Sequence, residues 1–248
     1  EMTDRNLHPR RLAIVLPDLR GGGAETMRVR MAAAFAERGV APEFWLSSAS
    51  GDLLDDVADF PVIDLGAARI RSLFRPLARI WQERQPTTVL VDMWPNTVVA
   101  AFCHRYLRMR GSQSRLVLCD HNTLSVKPET QGWARRQFLS GSVRLAYPMA
   151  DERLGVSEGV IVDLARVSGI AQESFKVIYN PGFSPDDFHE KVDDPWPKSS
   201  AKVLMVGSLK EQKDHLLALE AFSQLQIPDA VLAILGEGGL RPKLERKI

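Results

Sequence analysis

Residues 11–39 read RLAIVLPDLRGGGAETMRVRMAAAFAERG and describe one complete strand, turn and helix. The apolar run at 11–17 is typical of a buried strand, and the three glycines at 21–23 predict a tight turn directly after it. From residue 24 onward, apolar side chains recur at helical spacing as far as Gly39, a residue type that commonly ends helices. This order indicates the beginning of an α/β fold.

The same alternation of short apolar runs and helical periods continues along the chain. Further strands are expected at 42–47, 61–65, 87–93, 115–119, 152–156 and 175–179, and helices at 24–39, 69–84, 97–110, 129–148 and 158–168. We therefore predict an α/β protein with a Rossmann-like parallel sheet that is covered by helices on both faces.

A change in composition after Tyr179 predicts a domain boundary. Residues 180–200 contain four prolines and five acidic residues without periodicity, which is typical of an interdomain linker. A second α/β pattern follows, with strands at 202–207 and 229–235 and helices at 214–225 and from about 239. We expect a Rossmann-like domain at 1–179, a linker at 180–200, and at 201–248 the start of a second Rossmann-like domain that is truncated in this chain.

The composition is that of an ordinary globular protein, with 45% hydrophobic and 25% charged residues. No apolar run approaches the ~20 residues of a membrane-spanning helix, and residues 1–11 lack the apolar core of a signal peptide. Cys103 and Cys119 have neither the number nor the spacing of a disulfide framework or a zinc site. These features exclude disordered, membrane-spanning and disulfide-rich classes, and we expect a cytoplasmic protein.

Charge is distributed unevenly along the chain. Residues 1–150 carry 20 Lys and Arg against 15 Asp and Glu, whereas residues 151–248 carry 12 against 16. An excess of basic residues suits an anionic ligand, an anionic membrane surface or a simple solvated face. The sequence has no zinc-finger or RNA-binding signature, so we do not expect nucleic acid as a partner.

The helical stretch 69–84 combines an apolar stripe with arginines at 71, 75 and 79. Helices that rest on anionic lipid at the inner face of a membrane have this pattern, and so do helices that pack on their own sheet. Both interpretations stay open from the sequence. Pro76 predicts a bend within this helix.

Two candidate ligand sites lie at the predicted carboxyl ends of first-domain strands, where α/β proteins bind ligands. The turn RGGGAE (20–25) allows close backbone approach at Gly22 and Gly23 and offers the N–H groups of a helix N-terminus, although a plain tight turn would also use glycines. His121 follows the apolar run at 115–119 and could donate to a hydroxyl or phosphate, or exchange a proton near neutral pH. A loop-capping histidine is the alternative.

The second predicted domain repeats this architecture twice. GSLKEQKD (207–214) follows one strand and places Lys210 and Lys213 where an anion would meet a helix N-terminus, and GEGG (236–239) follows the next strand. Two such turns at one edge of a sheet predict a phosphate crevice. The chain contains no Asp-x-Asp sequence, and we expect no bound metal.

The segment GVSEG (155–159) fits the G-x-S-x-G nucleophile elbow of α/β-hydrolases, with Ser157 as the nucleophile. A catalytic triad also needs a later acid and histidine, and the only later histidines are His189 in the predicted linker and His215 at a helix start. A serine hydrolase is therefore the weaker hypothesis.

Taken in order, several segments resemble the family 4 glycosyltransferases, which are retaining enzymes of the GT-B fold. They are RGGGAE, DHN (120–122), LGVSEGV, VIYNPGF, VGSLKEQKDHLLALEAF and LAILGEGG. The resemblance extends across nearly the whole chain, and LKEQKDHLLALEAF is its most specific segment. It also accounts for VSEGV, which is a common segment of that family.

The resemblance implies an acceptor-side first domain and a second domain that binds a nucleotide diphosphate-sugar. The sugar would pass to a lipid-linked, polysaccharide or other acceptor, as in cell-envelope polysaccharide biosynthesis, with no cofactor or metal. Lys213 would neutralise the departing diphosphate, and His121 would contact the transferred sugar. The donor-binding positions implied by the resemblance are Gly22, Gly23, Gly207, Ser208, Gly236 and Gly238.

The sequence departs from the family pattern at two places. Ser208 stands where the family usually has an arginine, five residues before Lys213, and the paired glutamate motif of the family would lie downstream of Ile248. A non-catalytic binding module derived from such an enzyme is therefore the alternative to an active transferase.

Overall fold

The computed structural model describes residues 10–67, 69–125, 133–181, 196 and 201–248. The chain divides into two compact units, Glu1–Gly182 and Phe183–Ile248. The linker predicted at 180–200 falls almost wholly outside the described residues, as do residues 129–132 of the helix predicted at 129–148.

The first unit contains a seven-stranded sheet in which every neighbouring pair of strands is parallel. Its strands are β1 (Arg10–Leu16), β2 (Val40–Leu46), β3 (Val62–Asp64), β4 (Thr88–Asp92), β5 (Arg115–Asp120), β6 (Glu152–Gly155) and β7 (Lys176–Val177). Their spatial order is β3-β2-β1-β4-β5-β6-β7. The predicted α/β fold with a parallel sheet is confirmed, and each strand lies within two residues of its predicted start.

Five helices connect these strands, as expected for parallel neighbours. They are α1 (Gly23–Ala36), α2 (Phe74–Arg84), α3 (Asn96–Arg108), α4 (Trp133–Ala146) and α5 (Glu158–Ser168). The bend predicted at Pro76 was wrong. A separate 3-10 turn at Ile70–Ser72 precedes α2, so Pro76 lies in the first turn of α2, where its missing N–H would have had no partner within the helix.

The core of the first unit lies on both faces of the sheet. Along β1, Ala13 and Val15 belong to one buried cluster, whereas Leu12, Ile14 and Leu16 belong to the other. This two-residue period explains why the strand is a continuous apolar run, because a parallel sheet with both faces covered has no polar face.

The apolar stripe of α2 packs into this core. Leu73, Leu77 and Trp81 are buried, while Arg71, Arg75 and Arg79 are exposed. Packing on the sheet therefore accounts for the apolar stripe. No helix in the described part of the chain has the length and hydrophobicity needed to cross a membrane.

The second unit contains two parallel strands, β8 (Lys202–Val206) and β9 (Val231–Leu235), with Val206 paired to Leu235 at their carboxyl ends. Helices α6 (His215–Ser223) and α7 (Arg241–Glu245) follow the two strands. None of the ten strand residues is buried. The elements themselves form where the sequence predicted them.

Candidate functional site

The strand order of the first unit reverses between β1 and β4, because the chain continues from β1 to β2 on one side and from β4 to β5 on the other. Such a reversal creates a cleft outside the carboxyl ends of the strands, where open α/β sheets bind ligands. Helix α1 starts beside it, with Gly22 as the N-cap residue and Gly23 as the first helical residue, and both are exposed. A side chain at Gly23 would meet nothing within 4 Å, so the backbone faces open space there.

At Gly22, the space beside the backbone is occupied by the carboxylate of Glu25, which folds back over the start of α1. Because this carboxylate is the end of a flexible side chain, it could move aside for a Cβ or a ligand. An acidic side chain is favourable at a helix N-terminus because the free N–H groups carry partial positive charge. The predicted anion site at this turn is therefore shared with a carboxylate of the chain itself.

His121 lies just beyond β5 at the same edge of the sheet, beside a buried ion pair. Arg28 of α1 donates from Nε to Asp92 Oδ2 at 2.5 Å and from Nη2 to Asp92 Oδ1 at 2.6 Å. The His121 ring is packed against this pair, with Nε2 3.4 Å from Asp92 Oδ1. Burial disfavours the charge on Asp92, but the Arg28 guanidinium outweighs it and holds the pKa of that carboxyl below its usual range.

The other ring nitrogen of His121 is buried without a partner. The side chain is 6% exposed, and Nδ1 makes no hydrogen bond with any residue that the structure describes. A buried polar atom left without a partner carries a desolvation cost of about 1 to 3 kcal/mol. A ligand that donates a hydrogen bond to this nitrogen would relieve that cost.

Asp92, Cys119 and His121 bring three potential metal ligands within 4.8 Å of one another. However, both oxygens of Asp92 already accept from Arg28, whose positive charge would lie beside any bound cation. Burial also raises the pKa of Cys119 to about 12. The donor set fits an ion pair rather than a divalent cation.

A second buried carboxylate, Asp120, lies at the end of the neighbouring strand β5. It accepts a hydrogen bond of 2.5 Å from the Tyr147 hydroxyl, which in turn lies 3.2 Å from Thr97 Oγ1. Burial raises the pKa of Asp120 to about 7, and the Tyr147 hydrogen bond only partly offsets this effect. Asp120 can therefore hold or release a proton near neutral pH, directly beside His121 in the chain.

Asp163 of α5 holds the loop that follows His121. Its carboxylate accepts hydrogen bonds from the backbone N–H groups of Leu124 at 2.6 Å and Ser125 at 3.0 Å, and from the Ser125 hydroxyl. Arg166 completes the cluster, 3.0 Å from Asp163 Oδ1. Burial opposes ionisation, but these donors outweigh it and lower the pKa of Asp163. The loop is thus anchored to α5 at Leu124 and Ser125.

Ser157 is a helix cap in this structure. Its Oγ accepts a hydrogen bond of 3.3 Å from the N–H of Val160 at the start of α5. No histidine or carboxylate within the described ranges is bonded to Ser157, so the geometry gives no support to the hydrolase hypothesis.

In the second unit, the two glycine loops interlock at the carboxyl ends of β8 and β9. The N–H of Gly207 donates to Leu235 O at 2.9 Å, and the N–H of Leu209 donates to Glu237 O at 2.8 Å. A Cβ at Gly236 would collide with the carbonyl of Gly207, and a Cβ at Gly238 with the backbone of Leu209. These glycines are therefore required by the close approach of the two backbones.

The exposed side chain of Lys213 lies beside Gly207, in the first of these loops. Its aliphatic carbons would contact a Cβ at Gly207 from 3.5 Å, and its ammonium group forms no ion pair with any described residue. Ser208 is held by His215, whose Nε2 lies 3.2 Å from the Ser208 carbonyl oxygen. The exposed Lys210 follows in the same loop, so two cations accompany the glycines here.

The sequence interpretation named Asp120 only as part of the DHN segment, and it missed Arg28, Asp92 and Tyr147. A signal existed for the two carboxylates, because each ends an apolar run at the carboxyl end of a predicted strand, as His121 nearly does. No local signal marks Arg28, since an arginine on an amphipathic helix is ordinarily solvated. Only the structure shows that it is 3% exposed.

Comparisons with known proteins identify the family of the chain. The model of Glycosyltransferase Family 4 matches residues 21–181, which is more than half of the chain. No curated protein sequence matches the chain significantly.

Several solved structures are similar in fold. HepE from Anabaena, in complex with UDP-glucose, aligns with a TM-score of 0.67 at 16% identity, over 96% of this chain and 65% of its own. The lipopolysaccharide outer core galactosyltransferase WaaB aligns with a TM-score of 0.62 at 17% identity, over 96% of this chain and 64% of its own. A glycosyltransferase from Rickettsia africae aligns with a TM-score of 0.66 at 14% identity, over 97% of this chain and 64% of its own. The chain thus spans less than two thirds of the length of these structures. The similarity confirms the predicted GT-B type of fold.

Proposed function

Because the chain belongs to glycosyltransferase family 4, we propose that it takes part in the transfer of a sugar from a nucleotide diphosphate-sugar to an acceptor hydroxyl, with retention at the anomeric carbon. The bond from the anomeric carbon to the diphosphate oxygen breaks, and a bond to the acceptor oxygen forms on the same face. The acceptor proton leaves with the diphosphate or to water.

One observation carries this proposal: the exposed Lys213, whose side-chain carbons lie beside Gly207 at the carboxyl end of β8, where two glycine loops approach each other closely. Negative charge develops on the diphosphate as its bond to the sugar breaks, and fixed cations and backbone N–H groups stabilise such charge. Lys213 supplies the cation, while Gly207, Gly236 and Gly238 allow close backbone approach. Lys210 lies in the same loop and would supply the second positive charge. In most members of the family, this charge comes from an arginine at the position of Ser208.

His121, Gly22 and Gly23 have their proposed roles in the first unit. The buried Nδ1 of His121 contacts the transferred sugar, and the open backbone at Gly23 lies beside the donor. That HepE was solved in complex with UDP-glucose supports a uridine nucleotide as the first donor to try.

The proposed acceptor is a lipid-linked or polysaccharide precursor. Because the apolar stripe of α2 is buried, any contact with an anionic membrane would be made by the exposed guanidinium groups of Arg71 and Arg75. Co-sedimentation with vesicles containing phosphatidylglycerol, compared with pure phosphatidylcholine, measures this contact. An R71A/R75A variant should bind the anionic vesicles less, and equal binding to both lipids would contradict it.

Release of UDP from UDP-glucose and UDP-galactose by the purified protein tests the transfer function. Lys213→Ala should lower turnover by roughly 10²- to 10³-fold, as losses of comparable charge-stabilising donors do. Lys247→Ala removes an exposed lysine from the end of the chain and is the matched control, with unchanged turnover expected. Equal rates for Lys213→Ala and the parent protein would exclude Lys213 from the reaction.

Binding without turnover would favour the alternative function. If the protein binds UDP by calorimetry but releases none from either sugar nucleotide, the non-catalytic binding module becomes the better description. Ser208, in place of the usual arginine, is the observation that favours this second candidate.

A further inference from the structure

We propose that Asp92, held in place by Arg28, is a positioning residue that fixes the tautomer of His121, keeping hydrogen on Nε2 and leaving Nδ1 as a bare acceptor for a ligand hydroxyl. The identity of that ligand as the sugar of a donor rests on the proposed function. The tautomer itself does not, because it is a property of the protein without ligand.

The orientation of the Asp92 carboxylate is fixed from one side. Arg28 donates to both of its oxygens, at 2.5 and 2.6 Å, so the planar guanidinium and the planar carboxylate hold each other in one orientation. Asp92 is completely buried, and water does not compete for its remaining acceptor positions. Oδ1 also lies 3.4 Å from His121 Nε2, so the carboxylate charge is next to this ring nitrogen.

The charge of Asp92 then selects the tautomer. A neutral imidazole carries hydrogen on only one nitrogen, and which one is decided by the partners of the ring. A carboxylate is a pure acceptor, so Nε2 is favoured as the N–H donor. Nδ1 consequently carries no hydrogen, and its lone pair is available to accept a hydrogen bond.

The lone pair on Nδ1 determines which ligand group fits. Nδ1 is buried and unpartnered among the described residues, so a ligand that donates a hydrogen bond there relieves its desolvation cost. A sugar hydroxyl can donate to Nδ1, whereas a fully ionised diphosphate is an acceptor only. The site therefore selects the sugar portion of a donor and disfavours a phosphate at this nitrogen.

One other group faces Nε2 and would act in the opposite sense. Cys119 Sγ lies 3.9 Å from Nε2, and a thiol that donates there would leave Nε2 without hydrogen. A thiol is a weak donor, and the carboxylate is both closer and charged. Asp92 is therefore expected to prevail over Cys119.

Long-range ¹⁵N–¹H correlation of the histidine-labelled protein at pH 8 tests the proposal, with His121 assigned by the loss of its signal in His121→Asn. In the parent protein, His121 should carry hydrogen on Nε2. Asp92→Asn should invert the tautomer, because Arg28 retains the single amide oxygen and the amide NH₂ then donates to Nε2. Cys119→Ala is the matched control and should leave the tautomer unchanged.

The outcomes are distinct. A His121 in the parent protein that carries hydrogen on Nδ1, or on both nitrogens at pH 8, overturns the proposal, as does a Cys119→Ala spectrum that inverts. If Asp92→Asn does not fold, as judged by circular dichroism and the signals of His104 and His215, the parent spectrum decides alone. A folded Asp92→Asn with the parent tautomer also overturns it.

Addition of ligand separates this inference from the proposed function. UDP-glucose should shift the His121 Nδ1 resonance, whereas UDP should leave it in place, and an equal shift with UDP would contradict the hydroxyl assignment. If the protein neither binds nor cleaves UDP-glucose but retains the Nε2–H tautomer, the proposed function fails and the positioning role stands. If the protein turns over UDP-glucose but His121 carries its hydrogen on Nδ1, the proposed function stands and the positioning role of Asp92 fails.

Discussion

The carboxyl ends of β4 and β5 lie side by side in the sheet and each carries a completely buried aspartate, yet the two carboxylates behave oppositely. Asp92 on β4 is paired with the Arg28 guanidinium, and its pKa lies below the usual range. Asp120 on β5 is paired with the neutral Tyr147 hydroxyl, and its pKa rises to about 7. At equal burial, the charge of the partner decides whether a carboxylate is ionised.

This difference places two kinds of acid around His121. Asp92 provides a permanent negative charge next to the ring, which suits a positioning role. Asp120 changes its charge within the physiological pH range, which suits proton exchange but not the fixing of a tautomer. The ionised state of Asp92 can be tested by removing the Arg28 cation. The raised pKa of Asp120 can be tested by removing its carboxylate or the Tyr147 hydroxyl.

Removal of the cation should have the largest effect. Arg28→Ala leaves the buried carboxylate of Asp92 without its counter-ion, and we expect a loss of about 3 to 5 kcal/mol in the free energy of unfolding by urea denaturation. Arg75→Ala, at an exposed position on α2, is the control and should change stability by less than about 0.5 kcal/mol.

A double variant sharpens this result. Arg28→Met with Asp92→Leu removes both charges and should recover most of the loss, because hydrophobic replacement of a buried ion pair is often neutral or stabilising. A loss below about 1 kcal/mol in Arg28→Ala would show that Asp92 does not depend on the cation, and the contrast between the two strands would not hold.

Removal of the charge at Asp120 should change the pH dependence of stability. The folded pKa of about 7 lies above the unfolded value, so the folded state binds an extra proton between about pH 4 and pH 7. Stability of the parent protein should therefore fall as pH rises through this window. Asp120→Asn lacks the titration, so its stability relative to the parent should increase across the window by at most about 4 kcal/mol.

Urea denaturation of both proteins at pH 4.5, 6 and 8 measures this difference. Asp163→Asn is the control, because the pKa of Asp163 is lowered and its contribution is lost only as the pH falls through that lowered value. A stability difference between Asp120→Asn and the parent that is the same at all three pH values would contradict a raised pKa at Asp120.

Removal of the hydroxyl partner should have the smallest effect. Tyr147→Phe deletes the hydrogen bond that opposes the rise in the Asp120 pKa, so the fall in stability should extend to a pH above 7. The loss of the bond itself should cost about 1 kcal/mol near neutral pH. Tyr106→Phe, whose ring is 38% exposed, is the matched control. An unchanged pH dependence of stability in Tyr147→Phe would show that the Tyr147 hydroxyl does not affect the pKa of Asp120.

The sequence predicted the elements of the fold because each depends on local patterns. The apolar run of β1 and the glycine turn before α1 are properties of neighbouring residues, and so is the placement of His121 after an apolar run. The Arg28–Asp92 pair joins residues 64 positions apart, and α1 offered Met27 and Met31 as its inward face. Only the three-dimensional structure shows that Arg28 is also buried and paired with Asp92.

The glycine loops of the second unit also combine a feature that the sequence predicts with one that it does not. Their positions after β8 and β9 were predictable, because ligand loops follow the carboxyl ends of parallel strands. That Gly236 faces the Gly207 carbonyl could not be predicted, since it depends on how closely two separate loops approach.

The interlocking of these loops has a consequence for how the protein tolerates mutation. A side chain at Gly236 or Gly238 collides with backbone atoms of the opposite loop, and no substitution elsewhere can delete a backbone atom. In a library of single variants, tolerance should therefore be low at these two positions and recover at Glu237 between them, whose side chain is 79% exposed. Selection for second-site suppressors of Gly236→Ala should recover only revertants at the codon itself.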